Sequence, residues 1–185
     1  RTMKFTAGVV KVEPPEGLAT GGLTVAVTGF GFDAAAPLGV FQCLWTTLEG
    51  TEFRVTTDTD GAVFVSTGDS TATAADDVAV LADVSLASST ELSCVTPYWG
   101  ESRPAGNVSF HVLRDGVPLP TNGTRPPLNF LFIPSWASLA PAFGPAGGDA
   151  TITVSGAGFD LQAGDKYLCV FSNEHRVPGQ RAVST

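Results

Sequence analysis

The ten residues TVAVTGFGFD at 24–33 return as TITVSGAGFD at 151–160. Gly29 and Gly156 stand 127 positions apart, and so do Asp33 and Asp160. The likeness extends on both sides. GLATGG (17–22) precedes the first copy and GPAGG (144–148) the second, while FQC (41–43) follows one and YLC (167–169) the other. A repeat at one fixed offset sets the unit of the architecture, and this one is too long for a solenoid, whose repeats run to roughly 20–50 residues. It suits tandem domains of on the order of 100 residues each. The expected boundaries are 6–133 for a first unit and 134–185 for the N-terminal part of a second.

Within the first unit, short β-type runs alternate with turn signals. FTAGVVKV ends at EPPEG, and LTVAVTG at the glycines of GFGFD. VFQCLW, TEFRVTT, AVFVS, VAVLADVSL, ELSCVTP, NVSFHVLRDG and LNFLFIP follow. Leu23, Val25 and Val27 against Thr24, Ala26 and Thr28 have the period of two of a half-buried strand. No stretch has a capped helical period, so the chain is expected to be all-β, and strands at this spacing suggest a sandwich. The small, polar and acidic STGDSTATAADD (66–77) reads as an exposed loop or hairpin tip. LNFLFIPSWASLAP (128–141) passes from the last strand of one unit into the first of the next with no Gly/Ser spacer. Pro134 is the expected stiff link and Trp136 the side chain expected to pack between the units.

Several functions are disfavoured. A net charge of −8 lacks the basic footprint that phosphate binding needs, so nucleic acid is not an expected partner. No apolar run approaches the roughly 18 residues of a membrane span, and RTMKFTAG has no apolar signal-peptide core. DTDG (58–61) opens like a calcium loop, but Ala62 and Val63 follow where further ligands and a glycine belong. Neither His111 nor His175 has ligand spacing to the cysteines. No nucleophile–base set or paired carboxylates assemble around His111, which reads as an ordinary mid-strand residue. No enzyme, metal or cofactor is expected. Trp45, Trp99 and Trp136 could stack on sugars, but their settings read as core and junction.

In their order, these residues resemble the IPT/TIG domain, an immunoglobulin-like fold. The pattern runs through Pro14, Gly17, Gly21 and Gly22, then Gly29, Gly31 and Phe32, Cys43, CVTP at 94–97, GNVSFHVLRDG at 106–116 and FLF at 130–132. The second copy offers Pro141, Gly144, Gly156, Gly158, Phe159 and Cys169. The stretch between Cys43 and Cys94 is longer than the family's usual one. The resemblance implies tandem immunoglobulin-like β-sandwiches, the second truncated, with Cys43 and Cys94 at positions like the paired cysteines of extracellular members. Cys169, the match of Cys43, would have its partner beyond Thr185. The other reading leaves all three as buried thiols of an intracellular protein.

Two sequons, Asn107-Val-Ser and Asn122-Gly-Thr, favour a secreted glycoprotein alongside the cysteines. Asn122 lies in a turn dipeptide and is expected to be the better acceptor, because Asn107 opens a strand. The resemblance implies a non-catalytic structural or adhesive module at the cell surface. Such arrays occur in plexin-like and fibrocystin-like receptors, and the Ala/Gly/Thr-rich style is similar to green-algal surface or ciliary (mastigoneme-type) proteins. The expected partners are other domains of the same chain or assembly, with glycans as further candidates. A ligand-binding receptor domain and an accessory β-module of a carbohydrate-active enzyme are the alternatives. The charge disfavours the TIG domain of Rel-type transcription factors.

Overall fold

The computed structural model describes residues 6–33, 41–47, 53–57, 63–67, 73–74, 79–100, 103–121, 128–160, 167–171 and 180–181. Among them the chain is all-β, and no helix is long and apolar enough to cross a membrane. The strands of the main body are β1 (Gly8–Glu13), β2 (Glu16–Leu18), β3 (Thr24–Phe30), β4 (Phe41–Thr46), β8 (Ala79–Leu86), β9 (Glu91–Val95), β10 (Gly106–Arg114), β11 (Val117–Pro118) and β12 (Leu128–Ile133). Between β4 and β8 the chain inserts β5 (Phe53–Thr57), β6 (Val63–Thr67) and β7 (Thr73–Ala74), which form a sheet of their own. This accounts for the long Cys43–Cys94 stretch. The polar segment 66–77 is therefore partly strand, while the DTDG stretch lies outside the described residues.

One hydrogen-bonded path runs β1-β3-β9-β8-β4-β10-β12-β2, with β11 attached to β10. It forms two layers because β8 is shared. Ala79–Asp83 of β8 pair with β4, whereas Val84–Leu86 pair with β9. The layers enclose one core, an arrangement consistent with the β-sandwich class. Val9, Val12, Val25, Val27, Leu92 and Cys94 line it from one side. Cys43, Trp45, Phe110, Val112, Phe130 and Phe132 line it from the other. Trp45 lies 5.1 Å from Phe110, and Phe130 lies 5.0 Å from Phe132. Each such ring pair is worth about 0.5–1.5 kcal/mol beyond its buried area. A disulfide joins Cys43 of β4 to Cys94 of β9, so it ties the two layers across the core.

Strand β10 is buried on both faces. Val108, Phe110 and Val112 face the core, while Ser109, His111 and Leu113 are buried on the opposite face beside Leu44 and Thr46 of β4. His111 is thus more deeply placed than a half-exposed strand residue. Burial holds its pKa down to about 4, because desolvation penalises the imidazolium.

After Pro134 come β13 (Ser135–Ala140), β14 (Thr153–Ala157), β15 (Leu168–Cys169) and β16 (Gln180–Arg181). The β13–β14 ladder reproduces the β1–β3 ladder residue by residue. Gly8 faces Phe30 and Ser135 faces Ala157; Val12 faces Val27 and Leu139 faces Val154. The same irregularity falls between Val9 and Lys11 in one and between Trp136 and Ser138 in the other. Left-handed residues repeat as well: Gly21, Gly22 and Gly31 (φ 69°, 79° and 74°) answer to Gly148, Asp149 and Gly158 (87°, 63° and 78°). Phe32 meets Phe41 edge-on at 5.8 Å, and Phe159 meets Tyr167 edge-on at 5.4 Å. The sterics of the motif explain the likeness. A Cβ on Gly29 would strike the Gly8 carbonyl and the Phe32 ring, and one on Gly156 would strike the Ser135 carbonyl and the Phe159 ring. Gly31 and Gly158 supply the positive φ that turns the chain at the strand end.

Candidate functional site, a backbone joint between the two ladders

The first unit meets the second ladder through backbone and very small side chains. Strand β12 ends at Ile133, whose carbonyl accepts the Ala19 amide at 2.8 Å. The Ala19 carbonyl accepts from Gly100 N at 2.9 Å, and the Gly100 carbonyl accepts from Gly158 N at 3.0 Å. The Gly158 carbonyl in turn accepts from Ala105 N at 2.9 Å. Four segments distant in sequence are therefore stitched into one chain of main-chain hydrogen bonds. Ala157 is buried in the first unit's core cluster with Ala19 and Trp99.

The walls of this socket are preset by aromatic packing. Trp99 stacks on Phe132 with the ring centroids 4.9 Å apart and the planes 7° from parallel. Its indole Nε1 donates to the Pro104 carbonyl at 3.1 Å, and the Arg103 guanidinium sits 5.0 Å from its ring. These contacts hold Gly100 and Ala105 on either side of the space that Gly158 enters. The fit leaves no room for side chains. A Cβ on Gly100 would lie 2.8 Å from the Ala157 carbonyl carbon, and one on Gly158 would lie 2.7 Å from the Ala19 Cβ.

The junction expected from the sequence lies elsewhere in part. Pro134 is an exposed one-residue link between β12 and β13, as the absence of a spacer implies. Trp136, expected to pack between the units, is instead 67% exposed. The irregularity beside it keeps Trp136 opposite Gly156, on the ladder face that corresponds to Val9 and the core in the first copy. The joint is made by Ala157 and Gly158 instead. One signal for this was visible: Ala157 occupies the position of Phe30, whose ring lies over Gly8.

The other candidate residues distribute as follows. Cys43 and Cys94 are bonded, and Cys169 is a free, half-buried thiol. Asn107 is exposed, not shielded by its strand, which removes the ground for ranking it below Asn122; Asn122 itself lies outside the described residues. Trp45 and Trp99 are core residues. His111 sits on the buried outer face of β10, and His175 lies outside the described residues. No protein-family model matches this sequence, and no curated protein is similar enough to match it.

Proposed function

We propose that the chain is a non-catalytic structural element in which two immunoglobulin-like sandwiches of IPT/TIG type follow one another in series, working outside the cell as a stiff piece of a larger surface assembly. The observation that carries this reading is the joint at Gly158. A flexible tether would leave its backbone solvated; here Gly158 gives and receives main-chain hydrogen bonds within the first unit. The register-for-register repetition of the ladder supports a serial arrangement, since the same local chemistry is used twice. The Cys43–Cys94 crosslink and the exposed Asn107 sequon support an oxidising, glycosylating environment. In such an element, force passes through β12 into β13 across Pro134, and the socket resists bending about that link.

Small-angle scattering tests the proposal on the full chain. The wild type is expected to give one narrow distribution of distances between its two parts. A Gly-Ser insert after Pro134 combined with Gly158→Val, which blocks the socket, is expected to broaden it. Equal breadth in both would make the junction a tether and remove the stiff-element function.

A further inference from the structure

The second ladder exposes what the first one buries. Val9 and Val12 are 2% and 7% exposed, whereas their counterparts Trp136 and Leu139 are 67% and 41% exposed. Val25 and Val27 are buried, while their counterparts Ile152 and Val154 are only half-buried. In the first unit this face is covered by the core strands, and the far edge of β3 is occupied by β9. Among the described residues β14 pairs with β13 alone, so the edge that matches the β3–β9 pairing has no strand on it.

The first unit also shows what belongs there. In β9, Cys94 lies opposite Val25 and Leu92 opposite Val27, both pointing inward. Cys94 bonds Cys43 on the strand that follows the Phe32–Phe41 contact. The second ladder has the counterparts of all but one of these parts. Tyr167 packs on Phe159 as Phe41 packs on Phe32, and Cys169 follows with a free thiol.

We propose that the free edge of β14 is a strand-acceptor site, and that its occupant is an extended segment of the same polypeptide with an apolar residue and, two positions later, a cysteine. This deepens the serial-sandwich reading and rests on it. The register follows from the first ladder: antiparallel to Thr151–Ser155, with the apolar residue opposite Val154 and the cysteine opposite Ile152. Both side chains then face Trp136 and Leu139, and the cysteine reaches Cys169. The crosslink forms by exchange. The Cys169 thiolate, its proton lost to water, attacks the incoming cysteine's sulfur, which is held as a mixed disulfide with a small thiol. That S–S bond breaks and the small thiol leaves as thiolate.

The first unit supplies the probe. A synthetic peptide spanning residues 88–98 carries Leu92 and Cys94 in the required order and can be activated as a mixed disulfide with an aromatic thiol. The control peptide exchanges Ser93 and Cys94, which moves the sulfur to the opposite face of the strand. With the full chain, coupling to Cys169 is expected to be about tenfold or more faster for the native order, because edge pairing raises the local concentration of the sulfur. A blue shift of Trp136 emission, read against Trp136→Phe, should accompany it. Equal rates, or coupling without the shift, would mean an accessible thiol and no acceptor site. A chain that instead couples to a second copy through Cys169 would put the occupant on another molecule and overturn the assignment. The peptide does not touch the Gly158 socket. Equal rates with a narrow scattering distribution sink this inference alone, whereas selective capture with a broad distribution sinks only the stiff joint.

Discussion

Gly100→Ala isolates the joint from everything else in the molecule. Gly100 is not in the left-handed region, so alanine is acceptable to its own backbone and the penalty comes from contact. The added Cβ would meet the Gly158 amide nitrogen and lie 2.8 and 2.9 Å from the Ala157 carbonyl carbon and Cβ, so Ala157–Gly158 must withdraw. Withdrawal breaks the Gly158 N to Gly100 O and Ala105 N to Gly158 O bonds. Each is worth about 0.5–1.5 kcal/mol net. It also exposes the Ala157 methyl, about 0.8 kcal/mol. The joint should lose about 2–4 kcal/mol, which is roughly a 30- to 900-fold change in its opening equilibrium. Amide hydrogen exchange by NMR reads this residue by residue. Protection at Gly158 and Ala105 should fall by that factor while Val25, Val27 and Leu92 keep theirs. Gly147→Ala is the control, since a Cβ there meets nothing within 4 Å. If Gly158 keeps its protection to within about threefold in Gly100→Ala, less than one net hydrogen bond has been lost and the socket does not hold the joint.

Three further outcomes are expected. His111 has a folded pKa of about 4 against an ordinary 6.5, so the unfolded chain binds the extra proton in that window. Its contribution is full above about 6.5 and is lost as pH falls toward 4, by on the order of 3 kcal/mol. Thermal melts of wild type and His111→Gln should therefore converge with falling pH, and parallel curves would contradict this. Replacing Cys43 and Cys94 together with alanine opens a crosslink of sequence separation 51. That should lower stability by about 4 kcal/mol in denaturant titrations, with Cys169 unchanged in alkylation. Expression through a secretory pathway should add a glycan at the exposed Asn107, removed by Asn107→Gln; a bare Asn107 peptide in mass spectrometry would count against the extracellular proposal.

What could be read from the sequence was local. The glycines of GFGF and GAGF, the aromatic after them and the alternating valines determine a strand, its turn and the ring that plugs the corner. These contacts span few residues and carry side-chain signatures, and both ladders follow them to the same register. The nine longer strand runs of the first unit were legible for the same reason, since a half-buried strand writes its period into the chain. Strand β2 was not, because three residues within a turn-rich stretch, Glu16–Leu18, have no period to show. The sharing of β8 between two layers, the burial of His111 from the far side of β10 and the exposure of Trp136 were decided by tertiary structure. So was the joint. Ala19, Gly100, Ala105 and Gly158 meet through main-chain atoms that every residue possesses, and their shared quality is the lack of a side chain large enough to keep them apart. Smallness at four distant positions has no periodicity and no charge, and it acquires meaning only when the fold brings the four backbones within hydrogen-bonding distance.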